Sequence, residues 1–553
     1  HVLDKNSEEH LPYITIALKG TTIGTVTDAT GHYFLKNLPE GNFVMEVSSV
    51  GYKTIIRSVT LKKGKTLEEN FELEEDAIAL DGVVVSANRN ETTRRMAPTL
   101  VNVVDLKPFE STNSSTLSQG LNFQPGVRVE TICQNCGFQQ VRINGLDGPY
   151  TQILIDSRPV FSALSGVYGL EQIPASMIER VEVMRGGGSA LFGSSAIAGT
   201  INIITKEPLR NSGQLSHTIT GFSGGNSFDN NTSLNLSLVT DDHRAGVYIF
   251  GQNRHRSGYD YDGDGFTELP KLKNQTVGFR SYFKTSTYSK LTFEYHHLQE
   301  FRRGGDMLNR PPHEANIAEQ LEHAIDGGSL KFDYFSPNEK HRFSVFTSAA
   351  NTDRDSYYGG GQDPNAYGKT TDFTVMGGTQ YMYSFGRCLF MPADLTAGLE
   401  YNRDHLEDNM WGYNRHTEQT VNIYSGFLQN EWKNEKWGIL LGGRLDKHNM
   451  VDHVIFSPRA NLRFNPTKDV NFRLSYASGF RAPQAFDEDM HIENVGGTVS
   501  MIERAKGLKE EKSQSLSASA DMYRRFGAWQ VNFLVEGFYT ALKDVFVLGP
   551  YED

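Results

Sequence analysis

No stretch of the chain stays apolar long enough to cross a bilayer as a helix, which takes about 20 consecutive hydrophobic residues, so helical membrane spans are excluded. Cysteine is scarce. Three in 553 residues cannot make a disulfide framework. Cations are outnumbered, with 54 Lys and Arg against 66 Asp and Glu and a net charge of −12. That balance argues against nucleic acid as a partner, because a phosphate backbone is held by clustered Lys and Arg. No secretory leader is visible; His1 falls inside what reads as a strand, so a preceding segment is expected. No Ser/His/Asp set or pair of carboxylates stands out, so no catalytic residue is named and no enzyme is expected.

What the chain does have is aromatic residues, 24 Tyr and 33 Phe, in a sequence only 38% hydrophobic. A β-barrel crosses a membrane with strands of about 10 residues whose alternate side chains face the lumen, so its average hydrophobicity stays low. From residue 209 onward the pattern is of that kind. Leu291, Phe293 and Tyr295 alternate with Thr292, Glu294 and His296. Similar runs occur at Phe343–Thr347 and Asn471–Tyr476. Short polar turns at 336–340 and 465–469 alternate with long Gly- and Asp-rich stretches at 253–271, 301–323 and 353–369. Short turns on one side and long loops on the other are the asymmetry of an outer-membrane barrel.

Residues 1–75 read differently. Ile14–Leu18, Tyr33–Leu35 and Phe43–Val47 are short runs of strand formers separated by turn-rich stretches, the pattern of a small sandwich. Leu18 through Lys53 resembles the carboxypeptidase-regulatory-like domain, a non-catalytic Ig-like β-sandwich. Residues 76–90 form a linker, acidic at its start, that contains Asp81, Gly82, Val83, Val84, Val85 and Ser86. Three successive valines make a strand with no partner nearby, suited to pairing with another protein's sheet edge.

Residues 91–208 carry Leu117-Ser118-Gln119-Gly120-Leu121, Pro125-Gly126-Val127-Arg128-Val129, Val141-Arg142-Ile143-Asn144-Gly145, Ile153-Leu154-Ile155-Asp156, and Ile178 through Gly193. Along its full length this stretch resembles the plug of TonB-dependent outer-membrane receptors of the metallophore and cobalamin type. The valine run then resembles their TonB box. The resemblance implies a mixed α+β plug inside a roughly 22-stranded antiparallel transmembrane β-barrel. The barrel, 209–553, is too short for that number, so further strands are expected beyond Asp553. Charged plug residues such as Glu179, Arg180, Glu182 and Arg185 are expected to meet lumen-wall charges as hydrated ion pairs.

The resemblance puts Cys133, Gln134, Asn135, Cys136 and Phe138 at the plug apex, facing the outside of the cell. The C-x-x-C reads as a disulfide, as two ligands for a soft metal, or as a redox pair. Tyr150, Phe161 and Tyr168 are apical candidates for stacking on cargo, or are packing residues. Gly479-Phe480-Arg481-Ala482-Pro483 resembles the F-R-A-P box of haem receptors, but the companion N-P-x-L does not follow. His491 nearby is a metal ligand or a plain loop histidine.

Asp260, Asp262 and Asp264 with Gly265 match the first half of an EF-hand loop, but Lys271 stands where the bidentate Glu belongs. The loop either holds a structural Ca²⁺ with Glu268 or is a solvated acidic loop; no cofactor is otherwise required.

The function implied is TonB-driven import of a scarce metal chelate across the outer membrane, with a ferric siderophore first. Cobalamin, haem or free metal, and more remotely glycan, are the alternatives. The partners implied are TonB with its energising complex, the cargo, outer-membrane lipid and, as a further candidate, a surface lipoprotein. The N-terminal domain would lie in the periplasm.

Overall fold

The computed structural model describes every residue except 50, 76–81, 105–108, 110, 134, 160–172, 223–226, 486–489, 496–497, 528 and 551–553. Strands dominate, and among the described residues no helix is long and apolar enough to cross a membrane.

The N-terminal unit is built on a four-stranded antiparallel sheet in the order Gly24–Val26, Thr15–Leu18, Gly41–Ser48, Ile55–Leu61. A parallel pair, Val2–Asp4 with Phe71–Leu73, sits beside it. Alternate residues of these strands (Val2, Ile16, Leu18, Met45, Val47, Phe71, Leu73), with Ile14 just before the second, close one apolar core. The expected strand at Tyr33–Leu35 does not form. Tyr33 and Leu35 still pack against the core while Phe34 points out, but no neighbouring strand pairs with them. The Tyr33 hydroxyl donates instead to the Glu69 carbonyl at 2.7 Å.

The plug centres on a second four-stranded sheet, ordered Thr151–Ile155, Gly199–Thr205, Ile178–Arg185, Val101–Val104. The first pair is parallel and the others are antiparallel. A hairpin, Val127–Cys133 with Phe138–Ile143, stands apart from this sheet. The glycine run after Arg185 has two tasks. Gly186 adopts φ +83°, which glycine alone takes up without steric cost. Gly187 lies so close to the barrel wall that a Cβ there would sit 2.6 Å from the Ala477 Cβ.

Among the described residues, the rest of the chain forms a fifteen-stranded antiparallel sheet in sequence order from Ser212–Gly221 to Trp529–Lys543, with a separate short pair, Glu493–Val495 and Thr498–Ser500, in one long connection. Its partition of side chains is inverted relative to a water-soluble protein. Arg254, Arg302, Arg354 and Arg463 are fully buried on the inner side. Large apolar residues face out, with Leu399 68% and Tyr424 62% exposed. A continuous apolar exterior of this kind suits lipid, not water. Several strands are long, up to 22 residues in Tyr367–Cys388. They therefore absorb much of what reads as loop in the sequence, and between Gly360 and Tyr367 only residues 361–366 remain. Tight turns such as 336–340 and 434–436 mark one end of the sheet, while 257–270, 306–316 and 482–510 mark the other.

The sandwich touches the tight-turn end. The Thr22 N–H donates to the Thr287 carbonyl at 2.8 Å, and the Arg210 guanidinium lies 3.6 Å over the Tyr13 ring.

Candidate functional site

Two places on the plug concentrate polar chemistry, one toward each end of the sheet. Toward the tight turns, Val83–Val84 pairs antiparallel with Thr92–Thr93. The valine run therefore has a partner, contrary to the sequence reading. Val84 is fully buried beside Ala87, Ala97, Val101 and Leu191. The Val85 and Ser86 N–H groups both donate to Glu182 Oε2 at 2.9 Å, and the Ser86 hydroxyl donates to the same oxygen at 2.7 Å. Asn202 Nδ2 donates to that hydroxyl at 3.0 Å. Gly82 adjoins the pair, and its carbonyl accepts from the Arg94 N–H at 2.8 Å; Asp81 lies outside the described residues.

The following residues are tied to the barrel. Arg459 donates to the Ala87 carbonyl at 3.0 Å, and Asn88 donates to Glu431 at 2.7 Å. Arg89 pairs with Glu400, which also holds Arg444 at 2.6 Å. Further along the plug, Asp156 pairs with Arg280 at 2.6 Å, and Arg185 pairs with Glu536. These are not the hydrated pairs expected from the sequence. Glu182 is fully buried and turned into the plug, and Glu400 is buried under Arg89 and Arg444. Removing one member of a buried pair strands the other charge, so such contacts are costly to break singly. The Asp156 carboxyl, although penalised by burial, is held below the usual carboxylate range by Arg280 and Arg158.

Toward the long loops, the plug hairpin presents Cys133 and Cys136 on one tight turn. The Gly137 N–H closes it onto the Cys133 carbonyl at 3.0 Å, with Gly137 at φ +73°. Neither sulfur is in a disulfide. Instead the pair meets two residues from elsewhere. Glu319 stands near the start of the Ile317–Phe335 strand, and His491 belongs to the long connection 482–510. Cys133 Sγ is 3.2 Å from Glu319 Oε2, Cys136 Sγ is 3.4 Å from His491 Nε2, and that nitrogen is 3.5 Å from Glu319 Oε2. Cys136, Leu321, Tyr358, Met410 and Ile492 form an apolar cluster around them. The Tyr358 ring stands edge-on to His491, with centroids 5.4 Å apart.

The electrostatics follow from the contacts. The hydrogen bond from Cys136 outweighs burial and, with one from the His491 ring, brings the Cys133 thiol down to about 6. Burial disfavours a charged His491, but its hydrogen bonds to Cys133 and Glu319 prevail and raise it to about 10. Both shifts favour a charge-separated pair, the Cys133 sulfur negative and the His491 ring positive.

Of the other apical candidates, Asn135 is half-buried, and its carbonyl fits only because residue 304 is glycine; a Cβ there would lie 1.8 Å from it. Gln134, the side chain of Phe138, and all of Phe161 and Tyr168 lie outside the described residues. Tyr150 is buried, with its hydroxyl donating to Glu511 at 3.1 Å and the Arg481 guanidinium 5.8 Å over its ring. Its place is in the plug–barrel packing and not in an open vestibule. The Phe480 ring is likewise buried, and its carbonyl accepts from the plug's Ser195 N–H at 3.1 Å.

Sequence reasoning missed Glu319 and the capping role of Glu182. The Asp260, Asp262, Asp264 and Glu268 carboxylates converge on one exposed loop. They also accept backbone hydrogen bonds from Tyr261, Gly263, Gly265 and Phe266.

Comparison with known proteins reaches most of the chain in three pieces. Residues 1–85 match the CarboxypepD_reg-like domain, 93–200 the TonB-dependent Receptor Plug Domain, and 202–552 the family described as TonB dependent receptor-like, beta-barrel. A stretch of 125 residues is 37% identical to the vitamin B12 transporter BtuB of Vibrio vulnificus (strain CMCP6), covering 23% of this chain and 20% of that protein. The match thus spans about a fifth of the curated relative's length. The fold is similar to the siderophore receptor PirA from Acinetobacter baumannii (TM-score 0.68, 17% identity, 82% of this chain and 71% of that one). It is also similar to a mutant of the ferric enterobactin receptor PfeA from Pseudomonas aeruginosa (TM-score 0.66, 18% identity, 81% and 72%).

Proposed function

The chain belongs to the TonB-dependent receptors, and from that premise we propose that it imports a scarce metal chelate across the outer membrane, with a ferric siderophore as the leading cargo. The single observation carrying this reading is the way the plug is held. It is tied to the inner side of the strand sheet by buried charged contacts at Asp156–Arg280, Arg185–Glu536 and Arg89–Glu400. A conduit blocked in this way does not open by diffusion of cargo alone, and the outer membrane holds no nucleotide supply. Work must arrive mechanically, through TonB gripping residues 81–86 from the tight-turn end. The sandwich on that end then lies in the periplasm, and the long-loop end with Cys133 and Cys136 faces outward.

The alternative cargoes are cobalamin, haem and free metal. The stretch shared with a B12 transporter favours cobalamin among them. In this reading the Asp260–Glu268 loop is a candidate structural Ca²⁺ site at the long-loop rim, the alternative being a solvated acidic loop.

The test is deletion of residues 81–86. Uptake of radiolabelled ferric siderophore and of cobalamin should be abolished, while binding of the cargo to intact cells persists. Uptake at the wild-type rate by the deletion strain would overturn the proposal.

A further inference from the structure

We propose that Cys133, Cys136, Glu319 and His491 form a site for one soft or borderline metal ion, Zn²⁺ or Cu⁺, that ties the plug to the barrel wall. The chemistry of the donors makes the selection. Two thiolates and an imidazole favour soft and borderline ions, whereas Ca²⁺ and Mg²⁺ require oxygen shells.

The geometry agrees. A tetrahedral ion with bonds of about 2.0–2.3 Å spaces its ligand atoms about 3.3–3.8 Å apart. Here the sulfur–oxygen, sulfur–nitrogen and nitrogen–oxygen separations are 3.2, 3.4 and 3.5 Å, and all four donor atoms lie within 4.8 Å of one another. The donors come from three distant parts of the chain, the plug turn, a barrel strand and the long connection after Arg481. The apolar cluster around Tyr358 and Met410 limits water around the site, and the Tyr358 ring packs edge-on against the imidazole. Outer partners of this kind orient ligands and strengthen metal binding.

Loading requires no redox partner. On loading, any protons held by the two thiols and the imidazole pass to solvent, and no oxidation state changes. The ion is then a removable cross-link: while it is bound, the plug apex cannot leave the wall without breaking metal–ligand bonds.

The site is independent of the imported cargo, and so is its test. The full chain, purified in detergent with reductant and then freed of reductant, is titrated with Zn²⁺ and, anaerobically, with Cu⁺. Expected are one equivalent of bound metal, an absorption fine-structure shell of two sulfur and two nitrogen or oxygen neighbours, and slowing of Cys133 and Cys136 alkylation by at least about tenfold. Cys388, remote on a tight turn of the barrel, should label at an unchanged rate and serves as the internal control. Glu319→Gln and His491→Ala should each weaken retention at least about tenfold, and the double Cys-to-Ser variant should retain none. Undiminished labelling in the presence of either ion would overturn the proposal. So would thiols that label only after reductant, which would mean a disulfide. Because the wild-type protein carries the labelling experiment, misfolding of a variant does not decide it. Failure of uptake in the 81–86 deletion is read separately, on cells.

Discussion

Ser86 donates both its backbone N–H and its hydroxyl to a single carboxylate oxygen of Glu182, at 2.9 and 2.7 Å. A side chain buried in the plug sheet thereby holds the segment that the import reading assigns to TonB. Glu182→Gln removes the charge from those bonds. Hydrogen bonds to charged groups exceed neutral ones by about 1 kcal/mol, so losing that increment at two or three bonds should raise the released population of residues 83–86 about 30- to 150-fold. A spin label at Val85 in the purified receptor should show the mobile component growing. An unchanged spectrum would mean that the Val83–Thr93 pairing alone holds the segment.

Gly304 and Asn135 meet where a barrel strand passes the plug turn. Gly304→Ala places a Cβ against a backbone carbonyl that cannot rotate away. The turn should shift, so Cys133 and Cys136 should alkylate faster and metal retention should fall. The cost in stability should be about 1–3 kcal/mol, as for other overpacked sites. Thiol labelling rates, with circular dichroism for the fold, measure both.

Asp156 supplies a pH dependence. Its carboxyl is held below the ordinary range by Arg280 and Arg158, so the folded state binds its proton less readily than the unfolded chain does. The contribution to stability is complete above the unfolded value of about 4, and it is lost as pH falls through the depressed one. Thermal unfolding of wild type and Asp156→Asn in detergent should differ by a constant amount from pH 7 to pH 5. The gap should narrow below about pH 4. A gap that widens with acid would contradict the assignment.

The Asp260–Glu268 loop tests the Ca²⁺ expectation. Cleavage of this exposed loop by protease should slow several-fold in millimolar Ca²⁺ and recover on chelation, with Mg²⁺ ineffective. Equal rates in all three conditions would leave the backbone hydrogen bonds from Tyr261, Gly263 and Gly265 as the whole of the loop's order.

Much of this was readable from residues alone. Alternation at Leu291–His296 becomes a barrel strand with Thr292 inward and Phe293 outward, because a period of two survives any register. The C-x-x-C is conspicuous by spacing, and His491 by residue type. Glu319 is not, because it meets Cys133 across 186 residues of chain. Its only sequence signal is a carboxylate beside Ala318 at the loop end of an alternating run, which says nothing about its partner. Tyr150 misled for a related reason. An aromatic residue at a plug turn looks available until Glu511 and Arg481, from a strand and a strand end far along the chain, arrive to bury it. The valine run looked partnerless because its partner is only two residues, Thr92–Thr93, set between Glu91 and Arg94, too short to show an alternating pattern.

The contacts along residues 85–89 also set how the plug answers a load. Val85, Ser86, Ala87, Asn88 and Arg89 are gripped in order by Glu182, Glu182, Arg459, Glu431 and Glu400. Tension applied at the amino end reaches them one after another, like tape peeled from a surface, and does not share itself among them. The peak force is then governed by the strongest single attachment and not by their sum. A segment that is thermodynamically well anchored at rest can in this way yield to a modest directed pull, and each released residue lengthens the lever on the next.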